Sequence, residues 1–318
     1  MIMGLKRVLI TGASGFIGKN LVLHYSSQEG MDLVHLLHRG PFPPRLQAII
    51  ESKSFFKQDT LDILDYEALR ESSLDYDLII HLAALSDIPT SIKEPRKSFK
   101  VNCEGFINIC EIARLSSQEP LLLAFSSASV YGKPEYLPIN EHHPLNGNTP
   151  YAIQKSMVED ISKCYLEMYG LSIIMIRPFN LYGPFQDERF LIATIINQAL
   201  ASSDIMLGNP YPVRNFTFID DFIEAILLLV DARDQAVGEI FNVGNDEGIS
   251  VKMLAEKIIQ LIGHDLQLSF KKERFRKSKI EINKLTCDAQ KIKSLTGWIP
   301  RHTLEQGLLK TIEYYQGS

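Results

Sequence analysis

The stretch Arg7-Val-Leu-Ile-Thr-Gly-Ala-Ser-Gly-Phe-Ile-Gly18 decides the fold. It opens as a short apolar run suited to a strand buried on both faces, passes through glycines at 12, 15 and 18, and continues into apolar residues spaced three and four apart from Phe16 to Tyr25. A buried strand, a glycine loop and a helix in direct succession form the first βα unit of a doubly wound sheet. The glycines allow a tight turn, close approach of backbone N–H groups to a pyrophosphate, and close packing of the helix, whose N-terminus adds positive potential. The loop therefore reads as a dinucleotide site, with Gly12, Ser14, Gly15, Phe16, Ile17 and Gly18 around the phosphates.

Similar apolar runs recur at Leu33–Leu37, Leu78–Leu82, Leu121–Phe125, Ile173–Ile176 and Ile240–Val243. Helical spacing lies between them at Val101–Arg114, Ala152–Tyr169 and Asp221–Leu229. The alternation predicts an α/β fold, a Rossmann-type doubly wound parallel sheet. After about Tyr182 the pattern is less regular, and a smaller, interwoven C-terminal substrate domain is expected there. The boundaries read as 1–178 plus about 219–246 for the dinucleotide domain, and about 179–218 plus 247–318 for the substrate domain. Turn-rich segments at 40–44, 132–150, 178–184 and 208–214 are the candidate rims of a site beyond the carboxyl ends of the strands.

The 318 residues carry 33 Lys+Arg against 38 Asp+Glu, a net charge of −5. With a single short basic stretch, Lys271–Lys279, this balance argues against nucleic acid as a partner. No apolar run reaches the roughly 18 residues of a membrane span, so no membrane partner is expected. The N-terminal apolar run ends in the glycine loop rather than at a small-residue cleavage site, which argues against export. Cys103, Cys110, Cys164 and Cys287 stand far apart with no paired spacing, as reduced packing residues of a cytoplasmic protein do, and no metal site is expected.

The acidic residue that usually holds an adenosine ribose at the end of the second strand is missing, and His38-Arg39-Gly40 stands there. An arginine at this place accommodates a 2′-phosphate, so NADP(H) is favoured over NAD(H). Asp59, with Thr60 beside it, follows the third strand and is a candidate for the adenine amino group.

A second constellation is Tyr151-Ala-Ile-Gln-Lys155 with Ser127 upstream. Tyr151 and Lys155, four apart, share one helix face, where an ammonium favours phenolate and lowers the tyrosine pKa. Tyr151 then serves as an acid or base near neutral pH. Ser127 ends the strand Leu121–Ser126 and is placed to hydrogen-bond a substrate oxygen.

With these residues and the segments HLAA 81–84, PTS 89–91, VN 101–102, SSASVYG 126–132, RPFNLYGP 177–184, RNFTFIDD 214–221, FNVG 241–244 and TGWIPR 296–301, the chain resembles an extended short-chain dehydrogenase/reductase of the nucleotide-sugar epimerase/dehydratase/reductase family almost end to end. The resemblance implies Ser127, Tyr151 and Lys155 as catalytic residues, with Tyr151 and Lys155 also on the cofactor. It implies Leu82, Ala83, Ala84, Asn102 and Pro178 along the cofactor, and Ser86, Ser127, Ser129, Asn180, Arg214 and Arg276 on a nucleoside-diphosphate sugar. It also implies a homodimer through a four-helix contact. The arginines make chemical sense unaided, since a guanidinium fork matches phosphate.

Dehydratases of this family carry an acidic residue directly after the catalytic Ser or Thr, whereas this chain has Ala128 and Ser129, which argues against elimination of water. Together with Arg39, this leads to an expected NADP(H)-dependent reductase of a C4 ketone on a deoxysugar nucleotide, and the segments LGNPYPVRNFT and LTGWIPRHTLEQGL resemble the family's branch of GDP-4-keto-6-deoxy-mannose reductases more than its UDP-galactose 4-epimerase branch. The alternative is a nucleotide-sugar 4-epimerase with bound NAD. A more distant one is a non-catalytic dinucleotide-binding sensor.

Overall fold

The computed structural model describes residues 5–201, 204–263, 266–271, 273 and 282–317. The first half alternates strictly: β1 Arg7–Thr11, α1 Phe16–Ser26, β2 Leu33–His38, α2 Pro44–Glu51, β3 Phe56–Thr60, α3 Tyr66–Ser72 and β4 Leu78–His81. Two short helices follow, α4 Ile88–Lys93 and α5 Pro95–Phe99, then a π turn over Lys100–Glu104 that leads into α6 Gly105–Arg114. The helix expected over 101–114 thus begins as a widened turn. Next come β5 Leu121–Phe125, α7 Pro150–Tyr169 and β6 Ile173–Pro178. Thr149 fixes the start of α7, its Oγ1 accepting from Ala152 N at 3.2 Å, and Pro150 occupies the first turn with its φ already helical.

The remainder runs β7 Asn180–Tyr182, α8 Leu191–Leu200, β8 Ile205–Leu207, β9 Val213–Phe218, α9 Ile219–Asp231, α10 Arg233–Ala236, β10 Ile240–Val243, β11 Gly248–Ser250, α11 Val251–Ile262, β12 Leu268–Phe270, β13 Lys284–Leu285, α12 Gln290–Thr296 and α13 Leu304–Gln316. Past Tyr182 the chain is more regular than its sequence pattern suggests.

The main sheet has seven strands in the order β10-β6-β5-β4-β1-β2-β3, and every pairing is parallel. Alternate residues feed two cores. Val8, Ile10, Leu78, Ile80, Leu121 and Leu123 pack on the face covered by α1, α2 and α9, while Leu9, Ile79 and Leu122 pack on the other with Phe106 and Ile109 of α6 and Val158 of α7. Each such buried aliphatic side chain contributes roughly 1.5–3 kcal/mol, which is why the strands read as continuous apolar runs.

The strand order reverses between β1 and β4, and there the ends Thr11 and His81 lie side by side in register. That switch point is where an open α/β sheet leaves a ligand crevice.

The smaller sheets belong to the later sequence. β9 pairs with β7, β11 and β13, and β8 pairs with β12. The C-terminal segment is fastened to α9 through buried Asp221, whose carboxylate accepts from Arg301 N, His302 N and His302 Nδ1, and through Trp298 Nε1, which donates to Asp221 O at 3.0 Å. Among the described residues no helix is long and apolar enough to cross a membrane.

Candidate active site

At the crevice the glycine loop divides its labour. Gly12 has φ +68°, and a Cβ there would meet Ala83 N at 2.7 Å; at Gly18 it would meet Ala13 O at 2.5 Å and Gly12 O at 2.6 Å. Both positions are closed by backbone. Gly15 has an ordinary extended φ of −78°, and its Cβ would find nothing nearer than Gly12 O at 3.1 Å. The open side of the loop is therefore at Gly15, in front of the α1 N-terminus, where the first turn carries no acidic side chain. Ser14 lies near Gly40, at the end of β2.

The segment after β4 is held from both ends. Thr11 Oγ1 accepts from Ala83 N at 3.2 Å and lies 2.8 Å from His81 Nδ1, and Leu82 N donates to Thr11 O. Burial, with Lys155 nearby as a lesser cause, pulls the His81 pKa down to about 3. Asn102 grips Leu85, accepting from its N at 2.8 Å and donating to its O at 3.1 Å. Ser86 follows in an exposed position.

Ser127 caps the short turn Ala128–Tyr131, accepting from Ser129 N at 3.2 Å, and its side chain lies beside the Tyr151 phenol. Tyr151 and Lys155 are both buried on the first turns of α7. The Lys155 ammonium donates to Phe125 O at 2.7 Å and stands 6.0 Å from the Tyr151 ring centre. Burial pushes the phenol up to about 12, with the Ser127 hydrogen bond pulling the other way, and burial draws Lys155 down to about 8. The expected lowering of the Tyr151 pKa by Lys155 is thus corrected in this arrangement. The ammonium is spent on a carbonyl and the phenol is desolvated, which raises its pKa in this arrangement. The hydroxyls of Ser126 and Ser129 are buried without a hydrogen-bond partner.

Beneath the site Arg177 is buried in a two-pronged pair with Glu159, at 2.8 and 2.7 Å, and donates to Tyr131 Oη, itself bonded to Asn242. The network ties α7 to β6 and β10 below Lys155. Pro178 ends β6 opposite Val243.

The placement of Asp59, though not its candidate role, is corrected. Asp59 lies inside β3, where its carboxylate is engaged by buried His35 at 2.8 Å and by Lys57 at 3.0 Å, and Thr60 beside it is exposed. The carboxylate near the end of β2 is Asp62, 3.3 Å from Arg39. Sequence reasoning missed it because three aspartates, Asp59, Asp62 and Asp65, follow one another here, and Asp65 is consumed in capping α3. Arg39 is 62 % exposed in this pair.

Of the residues assigned to substrate, Asn180 donates to Asn215 O at 3.1 Å, on the strand that also carries Arg214. Arg214 donates to Val213 O and Ile282 O. The structure therefore brings Asn180 and Arg214 together at the β7–β9 pairing. Arg276 lies outside the described residues. All four cysteines are free thiols, and among the described residues no three His, Cys, Asp or Glu side chains gather as a metal needs.

Comparison with known proteins agrees with this geometry. The model of the NAD dependent epimerase/dehydratase family matches residues 8–244. UDP-glucose 4-epimerase of Mycolicibacterium smegmatis is 30% identical over 98% of this chain and 98% of its own. UDP-N-acetyl-alpha-D-glucosaminuronate decarboxylase of Bacillus cytotoxicus is 28% identical over 98% of each. The solved structure of Thermotoga maritima UDP-glucose 4-epimerase with UDP-glucose superposes with a TM-score of 0.88 at 26% identity, covering 98% of this chain and 99% of that one. The crevice at the switch point, its glycine loop and the Ser127–Tyr151–Lys155 cluster are those of a chain that belongs to the NAD-dependent epimerase/dehydratase family, the extended short-chain dehydrogenases/reductases that its motifs resemble.

Proposed function

We propose that the protein is a nucleotide-sugar 4-epimerase that keeps its dinucleotide through the cycle, with a UDP-hexose of the UDP-glucose type as substrate. The observation that carries this reading is the burial of Tyr151 and Lys155 on one face of α7 beside the Ser127 side chain, with Ala128 and Ser129 where an eliminating enzyme needs a carboxylate. Such a site exchanges one proton with one sugar oxygen, the chemistry of an alcohol and its ketone. The relatives named as 4-epimerases support epimerisation over the net reduction expected from sequence.

The crevice fits a dinucleotide: Gly15 leaves the α1 N-terminus open, and Leu82, Ala83 and Ala84 line the switch point beside Thr11. A dinucleotide bound there would supply the hydride chemistry at C4. Tyr151, as phenolate, would accept the C4 hydroxyl proton as the ketone forms and return it to the C4 oxygen as the ketone is reduced, Ser127 would hydrogen-bond that oxygen, and Lys155 would serve the phenol and the nicotinamide ribose. A hydrogen bond that strengthens as charge develops on the sugar oxygen lowers the barrier. Ser86 and Ser129 are assigned to the substrate, and Asn180, Arg214 and Arg276 to its diphosphate.

NAD(H) is the form proposed, because the Asp62 carboxylate beside Arg39 opposes a 2′-phosphate. The second reading, an NADP(H)-dependent reductase of a C4 ketone, rests on Arg39, which is exposed at the strand end and could turn from Asp62 to a phosphate. Exposed Phe99 and Ile107, with Ile153 and Met157 on α7, supply an apolar face for a homodimer, and the four free thiols suit a reducing cytoplasm.

The test is incubation of purified protein with UDP-glucose and no added dinucleotide, followed by chromatography of the products. Formation of the C4 epimer, abolished in Tyr151→Phe, supports the proposal. Absence of interconversion together with stoichiometric oxidation of NADPH on a 4-keto-6-deoxy sugar nucleotide supports the second reading instead.

A further inference from the structure

We infer that Gln154, which lies between the two chemistry-bearing side chains of α7, is a positioning residue that holds the cofactor-lining segment after β4 in register with Tyr151 and Lys155. The inference rests on the dinucleotide reading above. Leu85 N–H points at the Asn102 side chain at 2.8 Å, and only an oxygen can receive it, so the amide of Asn102 has one orientation. Its Nδ2 then faces Leu85 O at 3.1 Å and Gln154 Oε1 at 2.8 Å. Ser98 Oγ donates to the same Gln154 oxygen at 2.7 Å. Ser98, Asn102 and Gln154 are 0%, 2% and 4% exposed, so water does not replace a lost partner.

The backbone is shaped to make this contact. Asn102 sits in the π turn Lys100–Glu104, a local widening of the helix of the kind found at functional sites. Cys103 on that turn places Sγ 3.7 Å from Gln154 O. The segment after β4 is thereby fixed twice, at Ala83 by Thr11 of β1 and at Leu85 by α7 acting through Asn102. The first anchor belongs to the strand that bears the glycine loop and the second to the helix that bears the proton donor. Gln154 is the link that makes the two sides of the crevice one rigid frame, and its side chain carries a demand for an acceptor rather than for volume alone.

The experiment is fluorescence titration of purified protein with NADH and with NADPH. Gln154→Met keeps the volume and removes the acceptor; Gln154→Glu keeps an acceptor oxygen. Gln154→Met and Asn102→Ala are each expected to weaken the dinucleotide preferred by wild type about tenfold, the scale of one buried neutral hydrogen bond, and the double variant to weaken it no further. Gln154→Glu restores affinity to within about threefold of wild type, and Ser98→Ala, which removes the other donor to Gln154, leaves it within about the same range. Wild-type affinity in Gln154→Met, or losses that multiply to about a hundredfold in the double variant, would overturn the inference. Where Gln154→Met does not fold, Gln154→Asn withdraws the acceptor by one methylene: a loss of about tenfold supports the inference and wild-type affinity overturns it. Wild-type protein that binds neither dinucleotide overturns the functional reading and this inference with it.

Discussion

Alanine at Gly18 and at Gly15 should produce opposite failures. At Gly18 the new Cβ would stand 2.5 Å from Ala13 O and 2.6 Å from both Ala13 Cα and Gly12 O, all backbone atoms of the loop itself. Real Cβ contacts do not close to that range, so the loop or α1 must move. Overpacking of this kind costs about 1–3 kcal/mol, enough to lower the melting midpoint by several degrees. At Gly15 the nearest atom is a single carbonyl oxygen at 3.1 Å and φ is an ordinary −78°, so Gly15→Ala should cost less than about 1 kcal/mol of stability. Its methyl group instead stands where a pyrophosphate must approach the α1 amides. Loss of one hydrogen bond to a charged group, worth about 1.5–3 kcal/mol, weakens dinucleotide binding by about 10- to 100-fold. Urea denaturation and NADH titration on the same preparations separate the two effects. A Gly15→Ala protein with full affinity, or one destabilised as much as Gly18→Ala, would refute the reading of Gly15 as the open side of the loop.

Tyr151→Phe removes only the phenolic hydroxyl and should cut kcat by about 10²–10⁴ while dinucleotide affinity stays near wild type, as measured by turnover and titration together. Buried His81 has its pKa depressed from 6.5 to about 3, so the unfolded chain binds the proton first and stability falls as pH drops below 6.5. The slope from this group approaches 1.4 kcal/mol per pH unit, and urea midpoints between pH 6.5 and 5 should decline less steeply in His81→Gln. Asp221→Ala removes the acceptor for Arg301 N, His302 N and His302 Nδ1 and should cost about 3 kcal/mol. Trp298, the only tryptophan and bonded to Asp221 O, reports that loss by its fluorescence. Arg39→Ala should leave NADH affinity within about twofold of wild type in a titration, since its guanidinium is held by Asp62 and largely exposed.

The βα unit at the start of the chain was legible because its demands are local: glycine spacing, an apolar run and a helix follow one another within a few residues. The shared face of Tyr151 and Lys155 on α7 was legible for the same reason, since four-residue spacing fixes which side chains share a face. Contacts set by strand register were not. His35 sits one residue from Val34 in an apolar run, and nothing in the sequence says that it reaches across to bond Asp59. The same register leaves Asp62 beside Arg39. The phenol pKa escaped prediction because Tyr–Lys spacing gives proximity but neither burial nor the competing Phe125 carbonyl. Gln154 escaped because its partners lie 52 and 56 residues away on a turn whose π geometry has no sequence signature.

The most direct measurement follows the C4 hydrogen itself. A nucleoside-diphosphate hexose carrying deuterium at C4 is incubated with the enzyme in ordinary water, and both C4 epimers are analysed by mass spectrometry and NMR. The account predicts that the label stays on C4 of the newly formed epimer, because the hydride is taken up and returned within one active site while only the oxygen proton exchanges through Tyr151. Loss of the label to free dinucleotide, or a product formed only at the expense of added NADPH, would contradict it.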